Sequence, residues 1–134
     1  MSRYLYRAKR IDNGEWVYGG LFHTEDITDG NTLIVEHTVE GKNHYIDYKT
    51  IGQCTGLKDK NGTLIYEGDV VMRDNRKHDD CNQSDNVHVI YWNKHWNSWA
   101  YRAIKWTCST PLYTDEVKVL EIIGNVHDNA DLLD

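Results

Sequence analysis

A chain of 134 residues, 40% of them hydrophobic, is long enough to fold as one domain around its own apolar core without metals or disulfides. Its formal charge of −6, from 21 acidic against 15 basic residues, argues against a general nucleic-acid coat, which neutralises phosphates with an excess of Lys and Arg. The cysteines Cys54, Cys81 and Cys108 are odd in number, far apart and without a CxxC pair, so they read as reduced thiols and not as a disulfide framework.

No apolar run approaches the roughly 20 residues that span a bilayer, and the first residues, MSRYLYRAKR, lack the apolar centre of a signal peptide. The expectation is a soluble, cytoplasmic protein with no membrane partner.

In chain order, Tyr4 to Ala8 and Glu15 to Leu21 read as two strands joined by the polar, Gly-containing connection Ile11 to Glu15. Trp16, Tyr18 and Gly20 would share one face of the second strand, with Val17, Gly19 and Leu21 on the other. Both faces carry apolar groups, and the Gly19-Gly20 pair suggests a bend. Residues 23–30 are polar and acidic and read as a loop. Leu33 to Val39 alternates as a half-buried strand, Glu40 to Asn43 supplies a turn, and His44 to Tyr48 gives another short strand.

The next stretch, Ile51 to Met72, holds four of the ten glycines. Asn61-Gly62 at its middle is the pair best able to supply the positive φ angles of a tight hairpin. Thr63 to Tyr66 and Asp69 to Arg73 are strand-like, with a sharp turn or bulge expected at Gly68 and with Tyr66, Val70 and Val71 feeding the core. Asp74 to Asn86 is the most hydrophilic segment of the chain and reads as a long surface excursion.

Val87 to Trp92 and Trp99 to Trp106 alternate as the two arms of a hairpin around Asn93 to Ser98. Pro111 closes this unit. Val117 to Ile123 is the last strand expected, and Asp128 stands where it would cap a short helix, Asn129 to Leu133. Many short strands with turns at close spacing predict a mainly β fold: a small open barrel or sandwich, an SH3-like barrel among the options, with a short C-terminal helix. With no repeat and no strong composition break, residues 1–134 read as a single domain, within which an N-terminal β subdomain, 1–50, would pack on a barrel core, 51–134.

Three stretches carry a family resemblance: Tyr6-Arg7-Ala8-Lys9 with Gly14-Glu15-Trp16-Val17-Tyr18-Gly19, the segment Ile51 to Val71 with its run TGLKDKNGTLIYEGDVV, and Ile123-Gly124-Asn125-Val126-His127-Asp128-Asn129 with Leu132-Leu133. Together they resemble the YopX family, small proteins encoded by bacteriophages and prophages. The resemblance implies a phage or prophage origin, a bacterial cytoplasm, a compact β-rich core and homo-oligomers. It brings no catalytic residues to transfer onto these positions.

Four groups of residues are candidates for chemistry. His78, Asp79, Asp80 and Cys81, with His88, are zinc-ligand types, and a metal-assisted hydrolase would use His78, Asp80 and His88. Their spacing matches no ligand pattern, so the plainer reading is a solvated loop, and no metal or cofactor is expected. A phosphate cradle near Lys58 and Lys60 lacks the GxxxxGK[ST] arrangement, which leaves the glycines to turn geometry. Cys54 with His44, or Cys108 with another histidine, would make a nucleophile and base, but neither thiol has a local signature and a buried structural Cys is the usual case.

The fourth group is the aromatic hairpin: Tyr91, Trp92, Trp96, Trp99, Tyr101 and Trp106, interleaved with Lys94, His95, Arg102 and Lys105. Alternating strands must bury one face, so half or more of these rings belong to a core. The rest suit a protein interface, where Trp, Tyr and Arg are common anchors, or stacking on single-stranded nucleic acid. The binding residues expected from sequence are therefore Trp92, Lys94, Trp96, Trp99, Tyr101, Arg102, Lys105 and Trp106. The expected activity is non-enzymatic: self-association and contact with a host or phage protein, with nucleic acid as the less favoured partner in view of the acidic charge.

Overall fold

The structure, a computed structural model, describes residues 4–23, 32–36, 41–73, 87–104 and 109–133. The fold is mainly β, as the turn spacing predicts: two antiparallel sheets, with no closed barrel and no α-helix among the described residues. Among the described residues, no helix is long and apolar enough to cross a membrane. The chain gathers into two compact units, Met1–Gly56 and Leu57–Asp134.

The first unit holds β1 (Tyr6–Lys9), β2 (Trp16–His23), β3 (Thr32–Val35), β4 (Asn43–Tyr45) and the start of β5 (Gly52–Lys58), in the order β4-β3-β2-β1-β5. The β1–β2 connection is the expected one. Gly14 turns at a φ of 73°, Arg10 N–H donates to Glu15 O at 2.9 Å, and Asn13 Oδ1 accepts Glu15 N–H at 2.9 Å. β1 starts two residues later than the pattern suggests, leaving Tyr4 exposed. Ala8 pairs with Val17 and Leu21 with Ile34, and this face buries Ala8, Val17, Ile34 and Ile46 with Tyr6, Leu21 and Ile51 packed against them.

The chain after β4 comes back to β1. Arg10 bridges Ile46, Ile11 N–H donates to Tyr45 O at 3.1 Å, and Asp47 N–H donates to Lys9 O at 2.8 Å, so the chain after β4 closes on the end of β1. The strand expected over His44 to Tyr48 stops at Tyr45, because Asp47 leaves it to cap a 3₁₀ turn, Tyr48–Thr50. Its Oδ1 accepts Lys49 N–H at 3.0 Å and its carbonyl accepts Thr50 N–H at 3.0 Å. Thr50 Oγ1 ties the turn to β1 by accepting Lys9 N–H at 2.8 Å.

In the second unit the end of β5 forms a hairpin with β6 (Leu64–Tyr66), and a five-stranded sheet follows in the order β10-β9-β8-β7-β11. Its strands are β7 (Asp69–Arg73), β8 (Val87–Asn93), β9 (Ser98–Ala103), β10 (Ser109–Pro111) and β11 (Leu120–Asn125). Gly62 supplies the positive φ of the β5–β6 turn, 82°, and Gly68, at 88°, makes the sharp corner before β7. At that corner Gly68 N–H donates to Ile90 O and Gly68 O accepts Val126 N–H. The core is Ile65, Val71, Ile90, Tyr101, Leu112, Val117 and Leu120.

Asp59 locks the hairpin in place. Its carboxylate, 7% exposed, accepts three backbone N–H groups: Asn61 at 2.9 Å and Thr63 at 3.0 Å within the turn, and Ile122 at 3.0 Å on β11. Lys60 N–H adds a bond to Leu120 O at 2.9 Å. The turn thus covers the free edge of β11, where unpaired strand groups would otherwise invite another chain. The other edge of this sheet, β10, is three residues long and ends at Pro111, which has no N–H to offer.

Two expectations at the C-terminal end are corrected. Val117 lies not in a strand but in a 3₁₀ turn, Glu116–Val119, from which it still reaches the core at 5% exposure. The terminal helix is a single 3₁₀ turn, Ala130–Leu133. Just before it, Asn125 Oδ1 accepts the N–H groups of His127 and Asp128, each at 2.9 Å, and so holds the turn that leads out of β11.

Candidate functional site

The β8–β9 hairpin forms where the alternation places it, but its register divides the expected binding set between two faces. Trp92 pairs with Trp99, Ile90 with Tyr101 and His88 with Ala103, so these residues share the core-facing side. Trp92 and Trp99 meet edge to face, with centroids 5.1 Å apart at 80°. Tyr101, expected among the contact residues, is fully buried at 0% exposure and is a core residue. It takes the largest volume in a core that a Trp-rich strand must fill from its own inward positions.

Arg102 projects from the opposite face, its guanidinium 5.4 Å from the Tyr91 ring centroid. The Tyr91 hydroxyl donates to Ser109 Oγ at 2.7 Å and accepts from Asn93 Nδ2 at 3.0 Å. Lys94 and Trp96 occupy the exposed turn, which Asn93 Oδ1 organises by accepting His95 N–H and Trp96 N–H, with Asn97 at a φ of 52°. Lys105 and Trp106 lie outside the described residues. Trp92 and Trp96 remain exposed, at 40% and 46%. Arg102 does not share a face with Trp92 and Trp99, so these groups make no single cationic stacking platform.

The remaining candidates resolve as follows. His78, Asp79, Asp80 and Cys81 fall outside the described residues, as does Cys108. His88 is 3% exposed and packs edge-on against Tyr101 with centroids 5.0 Å apart, within the core side of the hairpin. No group of three or more His, Cys, Asp or Glu able to hold a metal occurs among the described residues. The amides near Lys58 and Lys60 are spent on Asp59 and Leu120, which leaves no open cradle for an anion there. Cys54 is fully buried with its Sγ accepting Gly56 N–H, on a strand that the sheet separates from His44 by β3, β2 and β1.

The first unit carries two features that the sequence reading passed over. One is its outward face. The registers Phe22↔Leu33 and Leu33↔Tyr45 set Phe22 and Tyr45 on one side of the sheet, two strands apart, at 57% and 60% exposure. Trp16 and Tyr18 share that side of β2, and the cations Arg7 and Lys9 lie 4.8 Å and 5.5 Å from the Trp16 ring centroid. The signal was present in the run WVYGGLFH, apolar at both parities. Assigning its outward half to a surface needs the pairing with β3 and β4.

The other feature is the seam where β1 meets the chain after β4. Two adjoining grooves open there, of about 420 Å³ and about 490 Å³, sharing Arg10 and Ile11. The larger runs along Asn43, His44 and Tyr45 and is nearly balanced in charge, because the Arg10 guanidinium forks onto Asp12 at 2.9 Å and 2.6 Å. That hydrogen-bonded pairing holds the Asp12 carboxyl below its ordinary value and raises Arg10 in turn. His44, 12% exposed, has its Nε2 3.6 Å from Glu36 Oε1. The smaller groove is lined by Lys9, Arg10 and Lys49 against the single acid Asp47, with Tyr48 and Ile11 as its apolar walls.

The family model described as YopX protein matches residues 5–134. Among solved structures, the chain is similar to protein EF1440 from Enterococcus faecalis, at 22% identity and a TM-score of 0.57 over 96% of each chain, a likeness of fold. No curated protein matches the chain.

Proposed function

Because the chain belongs to the YopX family, we propose that it is a phage or prophage accessory protein that acts by binding and not by catalysis. In this reading it is a module that self-associates in the bacterial cytoplasm and meets host or phage proteins there. The observation that carries the reading is the outward face of the first unit, where Phe22 and Tyr45 stand more than half exposed on one side of the sheet. Ile11, at 55%, is exposed beside Tyr45 in the wall of the seam.

Large apolar side chains gathered on one surface lower their free energy by about 25 cal/mol for each Å² they remove from water, and burying them against a second copy supplies that removal. Charge supports the same economy of contact: Arg7 and Lys9 already lie over Trp16, so the cations near this face are held by the protein's own ring. Sedimentation velocity over a concentration series tests the reading. The wild type is expected to associate, and Phe22→Ser with Tyr45→Ser is expected to shift it to monomer. A wild type that stays monomeric throughout would remove the self-association.

A further inference from the structure

We propose that Asn61-Gly62, at the tip of the β5–β6 hairpin, is a site of spontaneous deamidation, and that its products release the turn that covers the free edge of β11. The chemistry needs an asparagine followed by a residue that leaves its own amide nitrogen open to approach. Residues 60–63 are all exposed, Gly62 carries no side chain, and no atom lies within 4 Å of where a Cβ would stand. The Gly62 nitrogen loses its proton and bonds to Asn61 Cγ. The side-chain nitrogen takes up a proton and leaves as ammonia, and a five-membered imide closes. Water then opens the imide. Addition at Cγ breaks the new bond to the Gly62 nitrogen and leaves aspartate. Addition at the backbone carbonyl breaks the original peptide bond and leaves isoaspartate, which puts one more carbon in the main chain.

The turn itself paces the first step. Gly62 N–H donates to Asp59 O at 3.0 Å, and the Asn61 amide is turned toward Glu121, its Nδ2 3.3 Å from Oε1. Both bonds must open before the ring closes, and both donors are exposed, where local opening is most frequent.

What the products do follows from the contacts of the tip. Glu121, on β11, is held by two groups of the turn: Asn61 Nδ2, and Lys60 Nζ at 3.8 Å from Oε2. A carboxylate in place of the amide removes one donor and sets a like charge against Glu121, which leaves Lys60 to balance two acids. Isoaspartate reaches further. Asp59 Oδ1 accepts both Asn61 N–H and Thr63 N–H, at 2.9 Å and 3.0 Å, and the added carbon falls between those two amides and pushes them apart. Asp59 Oδ2 accepts Ile122 N–H of β11 at 3.0 Å, so a turn that loses its hold on Asp59 loses its cover of that edge as well. An uncovered strand edge is a template for pairing with another chain.

Incubation of the full chain in mildly alkaline buffer tests the site, read by mass spectrometry of the tryptic peptide 61–73 and by hydrogen exchange at the Ile122 amide. The peptide is expected to gain the mass difference between an amide and an acid, faster as pH rises. Asn61→Gln, whose longer side chain must close a six-membered ring, is expected to show no gain over the same time. The Ile122 amide is expected to exchange about fivefold faster or more in the converted protein and in Asn61→Asp than in fresh wild type, the effect of losing one net hydrogen bond. Both variants change an exposed tip, and circular dichroism checks that they remain folded. No mass gain in the folded chain, under conditions that convert a free peptide of the same residues, would overturn the site. Exchange of the Ile122 amide at the fresh wild-type rate after conversion would overturn the release of the β11 edge.

Discussion

Asp59 shows how much of the second unit depends on one carboxylate. Replacing it by Ala leaves three backbone N–H groups, those of Asn61, Thr63 and Ile122, without their acceptor. Two belong to the turn and regain some water, so the expected loss is about 2–4 kcal/mol and not the sum of three full penalties. Asp59→Asn keeps one acceptor oxygen and should fall between wild type and Ala in urea denaturation. Gly124 presents a different constraint: a Cβ there would lie 2.5 Å from Asn129 Oδ1, which now accepts Asn125 N–H at 3.1 Å, and 3.0 Å from Leu132 Cδ1. Gly124→Ala must push Asn129 off its bond, for an expected loss of about 1–3 kcal/mol in the same measurement. Gly62→Ala meets open space and costs only the strain of its positive φ.

Among the elements, the β8–β9 hairpin separates core from surface within a few residues. Tyr101→Ser should cost about 3–5 kcal/mol, as truncation of a large buried ring does, whereas Trp96→Ala, at an exposed turn, should stay within about 0.5 kcal/mol of wild type. Equal losses in thermal or urea unfolding would mean that the two rings are not divided as the register divides them. Most strands were legible in the sequence because local physics sets them: period-two alternation and the turn glycines Gly14, Gly62 and Gly68. What was not legible depends on partners distant in the chain. Asp59 reaches Ile122, 63 residues on. The face shared by Phe22 and Tyr45 exists only through the pairing of β2, β3 and β4. Tyr101 and Trp99 have the same parity and differ in burial because only Tyr101 sits opposite the core residue Ile90. The expected strand at His44 to Tyr48 is shortened where the Asp47 side chain captures a backbone amide, a local competition that favours turns.

For the whole molecule, the acidic chain carries large exposed apolar groups on strand faces and turns, the kind of surface the proposed binding role would use. The first unit offers Phe22, Tyr45 and Ile11, and the second offers Trp92 and Trp96 at the end of its hairpin. The free edge of β11 is covered by the chain's own turn, which disfavours strand addition at that edge. Family membership supplies the biological frame of the proposal, and the apolar face of the first unit supplies its physical means. Sedimentation velocity of the wild type beside the Phe22→Ser, Tyr45→Ser double variant is the most direct measurement of that means. Association that grows with concentration in the wild type and disappears in the folded variant is the predicted result, and identical sedimentation of the two would contradict it.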